Sequence, residues 1–333
     1  MSSTENQIPS ITERVRPVDA GAPVVAIHFL RDVAGFVLGE EAILLAGGEG
    51  EAKRVTAHDG GILAAVSDGT RIVTSGDDGK VVASSLEGET EVLVTDPKRR
   101  WIDRVALGPD SAIAWSAGKQ VFVRSPRGEK ELELASSAGG LAFAPKGIRL
   151  AIARYNGVTL WFPNVTGKPE ELSWKGSHLD VTFSPDGKFL ITCMQEPTLH
   201  GWRLAEGKDM RMSGYATKVR SVSWSAGGKW LATGGADQLV MWPFQGKDGP
   251  MGKQPKLLAP SKSRVAMVAC HPQHDIVAVG YEDGMILLVR IEDGAEIVAK
   301  RQGAGPVSAI AWDAAGSQFA FGTEAGEAGI IAL

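Results

Sequence analysis

The sequence predicts an all-β protein, a β-propeller built from four-stranded antiparallel blades. Three observations carry this prediction. Apolar residues alternate in short runs, turn residues such as Ala-Gly-Gly and Pro-Asp-Gly separate the runs, and the pattern recurs along the whole chain. The spacing between copies is roughly 36 to 46 residues, which is typical of propeller blades.

The best-preserved copy is the stretch "KVRSVSWSAGGKWLATGGADQLVMWPF" at residues 218–244. Its apolar alternation predicts strands at 219–224, 230–233 and 239–244, with a fourth strand near 256–258. A small sheet of this kind cannot bury its own faces, so copies stacked around an axis must bury them against one another.

We count eight such copies, and seven is the alternative if the weak first or third copy is not a true blade. The first strands of the copies begin near Val24, Ile62, Ile102, Leu141, Val181, Val219, Val265 and Val307. The last copy stops after three strands at Leu333. Residues 11–24 resemble an unpartnered fourth strand, so we expect them to complete the last blade and close the ring. The predicted organisation is a disordered tail at 1–10 and a single propeller at 11–333.

The first strands end in large apolar residues, and we expect these to pack between blades rather than to bind a ligand. They are Phe29, Leu107, Phe143, Phe183, Trp224 and Trp312.

The composition limits the classes of partner and compartment. The chain is 44% hydrophobic and 22% charged with a net charge of −4, which argues against a nucleic-acid partner held by bulk charge. No apolar run approaches the roughly 20 residues that a membrane span needs, and no signal peptide is evident. Two distant cysteines cannot make a disulfide framework. We therefore expect a cytoplasmic monomer with neither nucleic-acid nor membrane partners.

The repeats resemble those of the WD-repeat family. The stretch "FSPDGKFL" at 183–190 looks like the family's first turn, and Trp161, Trp202 and Trp242 stand where the family has the Trp of its Trp-Asp pair. The residue that follows each Trp is not Asp, and His58 is the best match to the family's Gly-His signature. Tyr215 stands in the same slot in another copy. In the family, that His joins a turn Asp and the Trp in a buried hydrogen-bond network.

Catalytic motifs are lacking from the sequence, which contains no nucleophile elbow, HExxH motif, phosphate loop or pair of CxxC motifs. We therefore predict that the protein is not an enzyme and needs no cofactor. Two alternatives stay open: an enzyme with a site in the central channel, and a propeller that binds a metal or small molecule. The weak metal candidate is "CHPQH", with Cys270, His271 and His274.

The predicted function is that of a non-catalytic scaffold that binds a protein or peptide. We expect binding on the face formed by the turns between second and third strands and by the connections between blades, because basic and aromatic residues concentrate there. The candidate contacts are Arg100, Trp101, Tyr155, Trp174, His178, Tyr215, Lys218, Arg220, Arg264 and Tyr281. The Gly- and Pro-rich insertion at 243–256 is predicted to be a surface loop and a second candidate contact site.

Overall fold

The protein is described by a computed structural model that covers residues 8–48 and 50–333. These residues form thirty β-strands and three single-turn 3-10 helices, at Thr12–Arg14, Pro109–Ser111 and Ala226–Gly228. The first strands are β1 (Val15–Asp19), β2 (Val24–Leu30), β3 (Val33–Leu38), β4 (Ala42–Ala46), β5 (Lys53–Thr56), β6 (Ile62–Ser67), β7 (Arg71–Gly76), β8 (Lys80–Ser85), β9 (Thr90–Thr95) and β10 (Arg104–Leu107). The middle strands are β11 (Ile113–Ala117), β12 (Gln120–Ser125), β13 (Gly128–Glu133), β14 (Gly140–Phe143), β15 (Leu150–Trp161), β16 (Glu170–Phe183), β17 (Phe189–Met194), β18 (Thr198–Arg203) and β19 (Lys208–Ser213). The remaining strands are β20 (Val222–Trp224), β21 (Trp230–Thr233), β22 (Leu239–Pro243), β23 (Lys256–Leu258), β24 (Val265–Cys270), β25 (Ile276–Tyr281), β26 (Ile286–Arg290), β27 (Glu296–Lys300), β28 (Val307–Trp312), β29 (Gln318–Thr323) and β30 (Glu327–Ala332).

The strands form seven antiparallel hydrogen-bonded sheets, six with four strands and one, β14 to β19, with six. In the six-stranded sheet, β15 folds back at a tight turn where Asn156 and Gly157 have positive φ values of 65° and 138°. Its two halves therefore pack as a hairpin: Leu150 and Trp161 share one apolar cluster, and Ala151 and Leu160 share the next. This sheet thus carries two four-stranded repeats.

Apolar packing between successive repeats closes the ring. The described residues contain eight buried apolar clusters, each shared by two neighbouring repeats, and one of them joins the last repeat to the first. The chain thus has the eight predicted repeats. They form seven hydrogen-bonded sheets, the number given as the alternative, because two repeats share the six-stranded sheet. The predicted propeller of four-stranded antiparallel blades is confirmed. We call each repeat a blade and its strands a to d, with β2 as strand a of blade 1.

The N-terminal strand completes the last blade, as the sequence predicts. β1 pairs antiparallel with β30, from Val15 opposite Ile331 to Asp19 opposite Glu327. Of the predicted tail, residues 1–7 lie outside the described residues. Within the rest of it, Pro9 O accepts a hydrogen bond from Val298 N (2.8 Å), at the outer edge of β27.

The residues that end the first strands pack between blades. Phe29 and Phe183 are buried. Trp224 donates its indole N–H to Thr182 Oγ1 of blade 5 (3.2 Å), and Trp312 donates to Ala269 O of blade 7 (2.9 Å). Each of these indoles fills space between two blades and satisfies its one polar atom there.

The insertion at 243–256 is anchored against blade 5 over part of its length. Pro250 is buried, and Met251 packs against the apolar cluster between blades 5 and 6. A Cβ on Gly249, whose φ is 56°, would lie 2.9 Å from two ring carbons of Phe189. Glycine therefore allows the insertion to approach the blade closely.

Deletion of residues 1–19 should destabilise the ring far more than deletion of residues 1–7. The longer deletion removes the β1–β30 pairing and exposes the edge of β30. From partial burial of Val15 and Val18 and the lost backbone hydrogen bonds, we expect a loss of roughly 4 kcal/mol in the free energy of unfolding. Urea denaturation followed by tryptophan fluorescence measures it. Equal midpoints for the two deletions would show that β1 does not close the ring.

Candidate functional site

The candidate face consists of the b–c turns and the connections from strand d to the next strand a; we call it the loop face. Two aromatic side chains stand out on it among the described residues: Trp101 is 62% exposed and Tyr155 is 59% exposed. Trp101 lies in the connection from blade 2 to blade 3, and Tyr155 lies in the b–c turn of blade 4. Large exposed aromatic rings on ordered backbone are suited to partner binding.

The connection that carries Trp101 is held by a buried carboxylate. Asp96 Oδ1 accepts hydrogen bonds from the backbone N–H groups of Lys98 (2.8 Å) and Arg100 (3.2 Å), and Asp96 Oδ2 contacts Arg100 Nη2 at 2.6 Å. Burial by itself raises the pKa of Asp96, but the Arg100 guanidinium and these N–H groups outweigh it and hold the pKa below its ordinary value. Arg100 also bonds Gln120. The guanidinium of Arg100, a predicted partner contact, is therefore used to stabilise the loop that carries Trp101.

The turn that carries Tyr155 is fixed in a similar way. Tyr155 N donates to Ser136 Oγ (3.1 Å) in the preceding connection. The guanidinium of Arg154 donates to Tyr155 O (2.8 Å) and to Thr159 Oγ1 (2.9 Å), and it pairs with Glu171. The Tyr155 ring thus projects from a turn whose polar groups are satisfied within the protein.

Three predicted basic contacts differ in how free they are. Arg220 is exposed in the connection just before strand a of blade 6. Lys218 is half-buried, with Nζ 3.4 Å from Gln195 Oε1. Arg264 is exposed and forms an ion pair with Glu282 at 3.1 Å. Arg220 is the basic side chain of these three that is most available to a partner.

Two predicted tyrosine contacts are buried, and this corrects the sequence interpretation. Tyr215 OH accepts a hydrogen bond from Trp242 Nε1 (2.6 Å) and bonds Thr233 Oγ1 (2.8 Å). Burial raises the pKa of Tyr215 to about 12. Tyr281 is fully buried and donates to Ala259 O (2.8 Å). Both lie near loops in the chain, but their side chains point between blades.

Histidine fills the slot of Tyr215 in two other blades, which corrects a third predicted contact. In blade 2, His58 bonds Asp78 Oδ1 through Nδ1 (3.0 Å) and Thr74 Oγ1 through Nε2 (2.9 Å). In blade 5, His178 bonds Thr192 Oγ1 through Nδ1 (2.8 Å) and is 1% exposed. His178 therefore ties a connection to strand b and is inaccessible to a partner.

Trp174, another predicted contact, covers a buried histidine. Its ring stacks on His200 with centroids 3.9 Å apart and an interplanar angle of 14°. The His200 side chain has no exposed surface, and its Nε2 lies 3.4 Å from Asp209 Oδ2. Burial lowers the pKa of His200 to about 4, although Asp209 opposes the shift. Trp174 is half-buried and is used for packing within the fold.

Within "CHPQH", His271 and Cys270 are engaged in bonds within the protein, and His274 is exposed. His271 Nε2 donates to Gly316 O (3.0 Å), and Nδ1 accepts from the N–H groups of Gln273 and His274 (3.0 Å each). Burial raises the pKa of the Cys270 thiol to about 12, and its Sγ lies 3.4 Å from Ser223 O. Among the residues described, no group of three or more His, Cys, Asp or Glu side chains is arranged to hold a metal ion.

Polar side chains of the first strands mainly join neighbouring blades. Arg104 Nε donates to Gly139 O (2.6 Å), Ser221 Oγ accepts from Val268 N (2.9 Å), and Ser308 Oγ donates to Val24 O (2.5 Å). Asp180, on strand a of blade 5, is exposed to solvent, and partial desolvation by the surrounding protein raises its pKa. These groups show no nucleophile bonded to a general base.

Comparison with known proteins places this architecture among propellers with WD repeats. The family described as "WD domain, G-beta repeat" matches residues 209–242, which run from strand d of blade 5 to strand c of blade 6. The solved structure of the computationally designed protein Ika8 is similar in fold, with a TM-score of 0.78, 16% identity, and coverage of 95% of this chain and 98% of that one.

Two curated relatives match about half of the chain. Telomerase protein component 1 of Rattus norvegicus is 29% identical over 180 residues, which are 52% of this chain and 6% of that protein. Meiotic recombination protein rec14 of Schizosaccharomyces pombe is 25% identical over 177 residues, 49% of this chain and 59% of that protein. The chain thus spans less than two thirds of the length of either relative. The match at residues 209–242, together with the propeller architecture, supports the resemblance to WD-repeat β-propellers, a class that generally mediates protein interactions. Within residues 8–48 and 50–333, no helix is both long and apolar enough to cross a membrane.

Substitution of Tyr215→Phe should destabilise the fold, whereas Tyr155→Phe should not. The first change leaves the buried Trp242 N–H without its partner and removes one of two partners of the Thr233 hydroxyl, which still donates to Val240 O; this costs about 1–3 kcal/mol. The second removes an exposed hydroxyl and should change stability by less than about 0.5 kcal/mol. Chemical denaturation compares the two. Equal stabilities would contradict a structural role for Tyr215.

Stability should fall as the pH falls from about 6.5 to 4, partly through His200. Its pKa is about 4 in the folded protein and near 6.5 when unfolded, so the unfolded chain binds a proton first. This group alone should contribute on the order of 3 kcal/mol to the loss over that range. Unfolding free energies at pH 7 and pH 4 test it, with His200→Phe as the comparison. A pH dependence unchanged by His200→Phe would refute the assignment.

Proposed function

We propose that this propeller is a non-catalytic scaffold that binds a protein or peptide partner on its loop face. The observation that carries the proposal is the pair of exposed rings, Trp101 and Tyr155, each on a loop fixed by internal hydrogen bonds. A fixed backbone lowers the entropy lost when a partner binds, and Trp and Tyr are the residues most enriched among interface anchors.

Arg220 supplies the third anchor in this proposal. It is exposed, and a guanidinium can bind a partner's carboxylate or backbone carbonyl with several N–H groups at once. Lys218 and Arg264 are secondary contacts, because each has a contact within the protein. Arg100 is a positioning residue that acts through the loop of Trp101.

The cellular setting is part of the same proposal. Cys193 and Cys270 are free thiols, and Cys193 is buried, which fits a reducing compartment such as the cytoplasm. The rat relative is named as a protein component of telomerase, which supports a role in an assembly. We propose that the chain is a monomer that supplies one surface to such an assembly.

Affinity purification from the native host tests the loop face. The test variant combines Trp101→Ala, Tyr155→Ala and Arg220→Ala, and the control combines Val92→Ala with Val165→Ala, at side chains 54% and 66% exposed away from this face. We expect partners captured by the wild type to be reduced at least about tenfold by the test variant and to be unchanged by the control. Retention of every partner by a folded test variant would refute the proposal.

A further inference from the structure

A groove runs along the outer side of blades 5 and 6, away from the anchors of the loop face. Every residue of β19, from Lys208 to Ser213, lines one part of it. The opposite wall is the insertion of blade 6 at 250–254, and Trp242 also lines this part, whose cavity volume is about 520 Å³. A second cavity of about 300 Å³ continues from Ser213 past Leu257 to Arg264.

The groove is preformed because the insertion that forms its second wall is fixed to the rest of the protein. The insertion is fixed to blade 5 by the contact of Gly249 with Phe189 and by an ion pair between Arg203 and Asp248. Lys253 Nζ also donates to Gln245 O within the insertion (2.8 Å). A ligand would therefore meet a wall that is already in place.

The outer edge of β19 is open. β19 pairs with β18 along its whole length, from Lys208 opposite Arg203 to Ser213 opposite Thr198. In the part of the chain that the structure describes, its backbone makes no hydrogen bond to any element beyond β18. In an antiparallel sheet, alternate residues of such an edge direct both N–H and C=O outward, which forms a template for one more strand.

A short segment of the chain itself forms a single parallel bridge on the equivalent edge of another blade. β27 is strand d of blade 7, as β19 is strand d of blade 5. At its outer edge, Val298 N donates to Pro9 O (2.8 Å), Ile11 N donates to Val298 O (2.9 Å), and Ser10 pairs in parallel with Val298. An extended segment therefore fits against a strand d of this ring.

The side chains around the groove indicate the chemistry of its occupant. The basic residues Lys208, Arg211, Lys253 and Arg264 line it, against the two acidic residues Asp209 and Asp237. Arg211 is exposed, and its guanidinium contacts only Thr198 Oγ1 (3.4 Å) among the described side chains. Leu257 is 51% exposed in the same groove. The walls thus favour an extended segment that carries carboxylates and an apolar side chain.

We propose that this groove is a second docking site, which binds an extended acidic peptide segment of a partner protein as a fifth strand on β19. The main-chain edge supplies hydrogen bonds, Lys208 and Arg211 attract the carboxylates, and Leu257 receives an apolar side chain. The second cavity reaches the loop face at Asp237 and Arg264, but none of the loop-face anchors Trp101, Tyr155 and Arg220 lines the groove.

The probe is a phage-displayed library of random dodecapeptides selected on the immobilised full chain. The test variants are Arg211→Glu and Leu257→Asp. The matched controls are Lys130→Glu on β13 and Val92→Asp on β9, which change exposed residues on strand d of blades 3 and 2. We expect enriched peptides to contain Asp or Glu, to bind at least about tenfold more weakly to each test variant, and to bind the controls within about twofold.

Hydrogen–deuterium exchange distinguishes strand addition from side-chain contact alone. Bound peptide should slow deuterium uptake over 208–213 and leave uptake over β9 and β13 unchanged. The triple variant of the loop face should bind the same peptides normally, so failure at one site is separable from failure at the other.

Either of two results would overturn the proposal. The first is that the selection enriches no peptide whose binding is weakened by either test variant, and the second is that a bound peptide leaves deuterium uptake over 208–213 unchanged. Sedimentation showing a wild-type dimer that Arg211→Glu dissociates would assign the groove to a second copy instead. Faster uptake over 208–213 after deletion of residues 1–7 would assign it to this chain's own N-terminus.

Discussion

The structure depends on the burial of both faces of every blade against its neighbours. A single four-stranded sheet here has too little apolar surface to bury alone, and each apolar cluster draws its side chains from two blades. The cluster shared by the last and first blades brings Phe36 and Leu38 together with Ala309 and Ile330, so the ring has no open face. Rigid presentation of loops follows from this packing, because each loop joins two strands that are held by neighbours on both sides. The loops of Trp101 and Tyr155 are held in addition by hydrogen bonds to Asp96 and Ser136.

A single position shows how the fold tolerates divergence. The slot beneath the entry to strand a must supply a polar group that reaches strand b. His58 and His178 do this with an imidazole, and Tyr215 does it with a phenol that also satisfies Trp242. The physical requirement is a buried hydrogen bond to a threonine hydroxyl, and more than one residue type meets it. The copy that matches the family model, residues 209–242, is itself one that carries tyrosine in this slot.

The sequence predicts the fold better than it predicts the site. Alternation and turn spacing predict the blades, because these features are local in the sequence. The pairing of β1 with β30 is predicted because the last repeat lacks a fourth strand and the ring must close. The local sequence does not determine where a side chain at a strand end points. Tyr155 and Tyr281 both lie near b–c turns, yet the Tyr155 ring faces water and the Tyr281 ring is fully buried, because the neighbouring blade determines which side is covered. The two tyrosines can be distinguished only by their contacts in the folded protein. The groove beside β19 is invisible in the sequence for the same reason, since its walls come from different blades.

Closure by β1 also has a consequence for how the molecule assembles. Val15 pairs with Ile331, which lies at the far end of the propeller sequence, so β1 cannot complete the ring before all the other blades have been made. Joining them closes the longest loop in the molecule, and such non-local pairing is slow compared with the formation of a hairpin. Until then, the edge of β30 and the apolar face of blade 1 are both uncovered. A chaperone or co-translational partner that acts on this protein would bind these uncovered surfaces, between the first and last blades, before the ring closes.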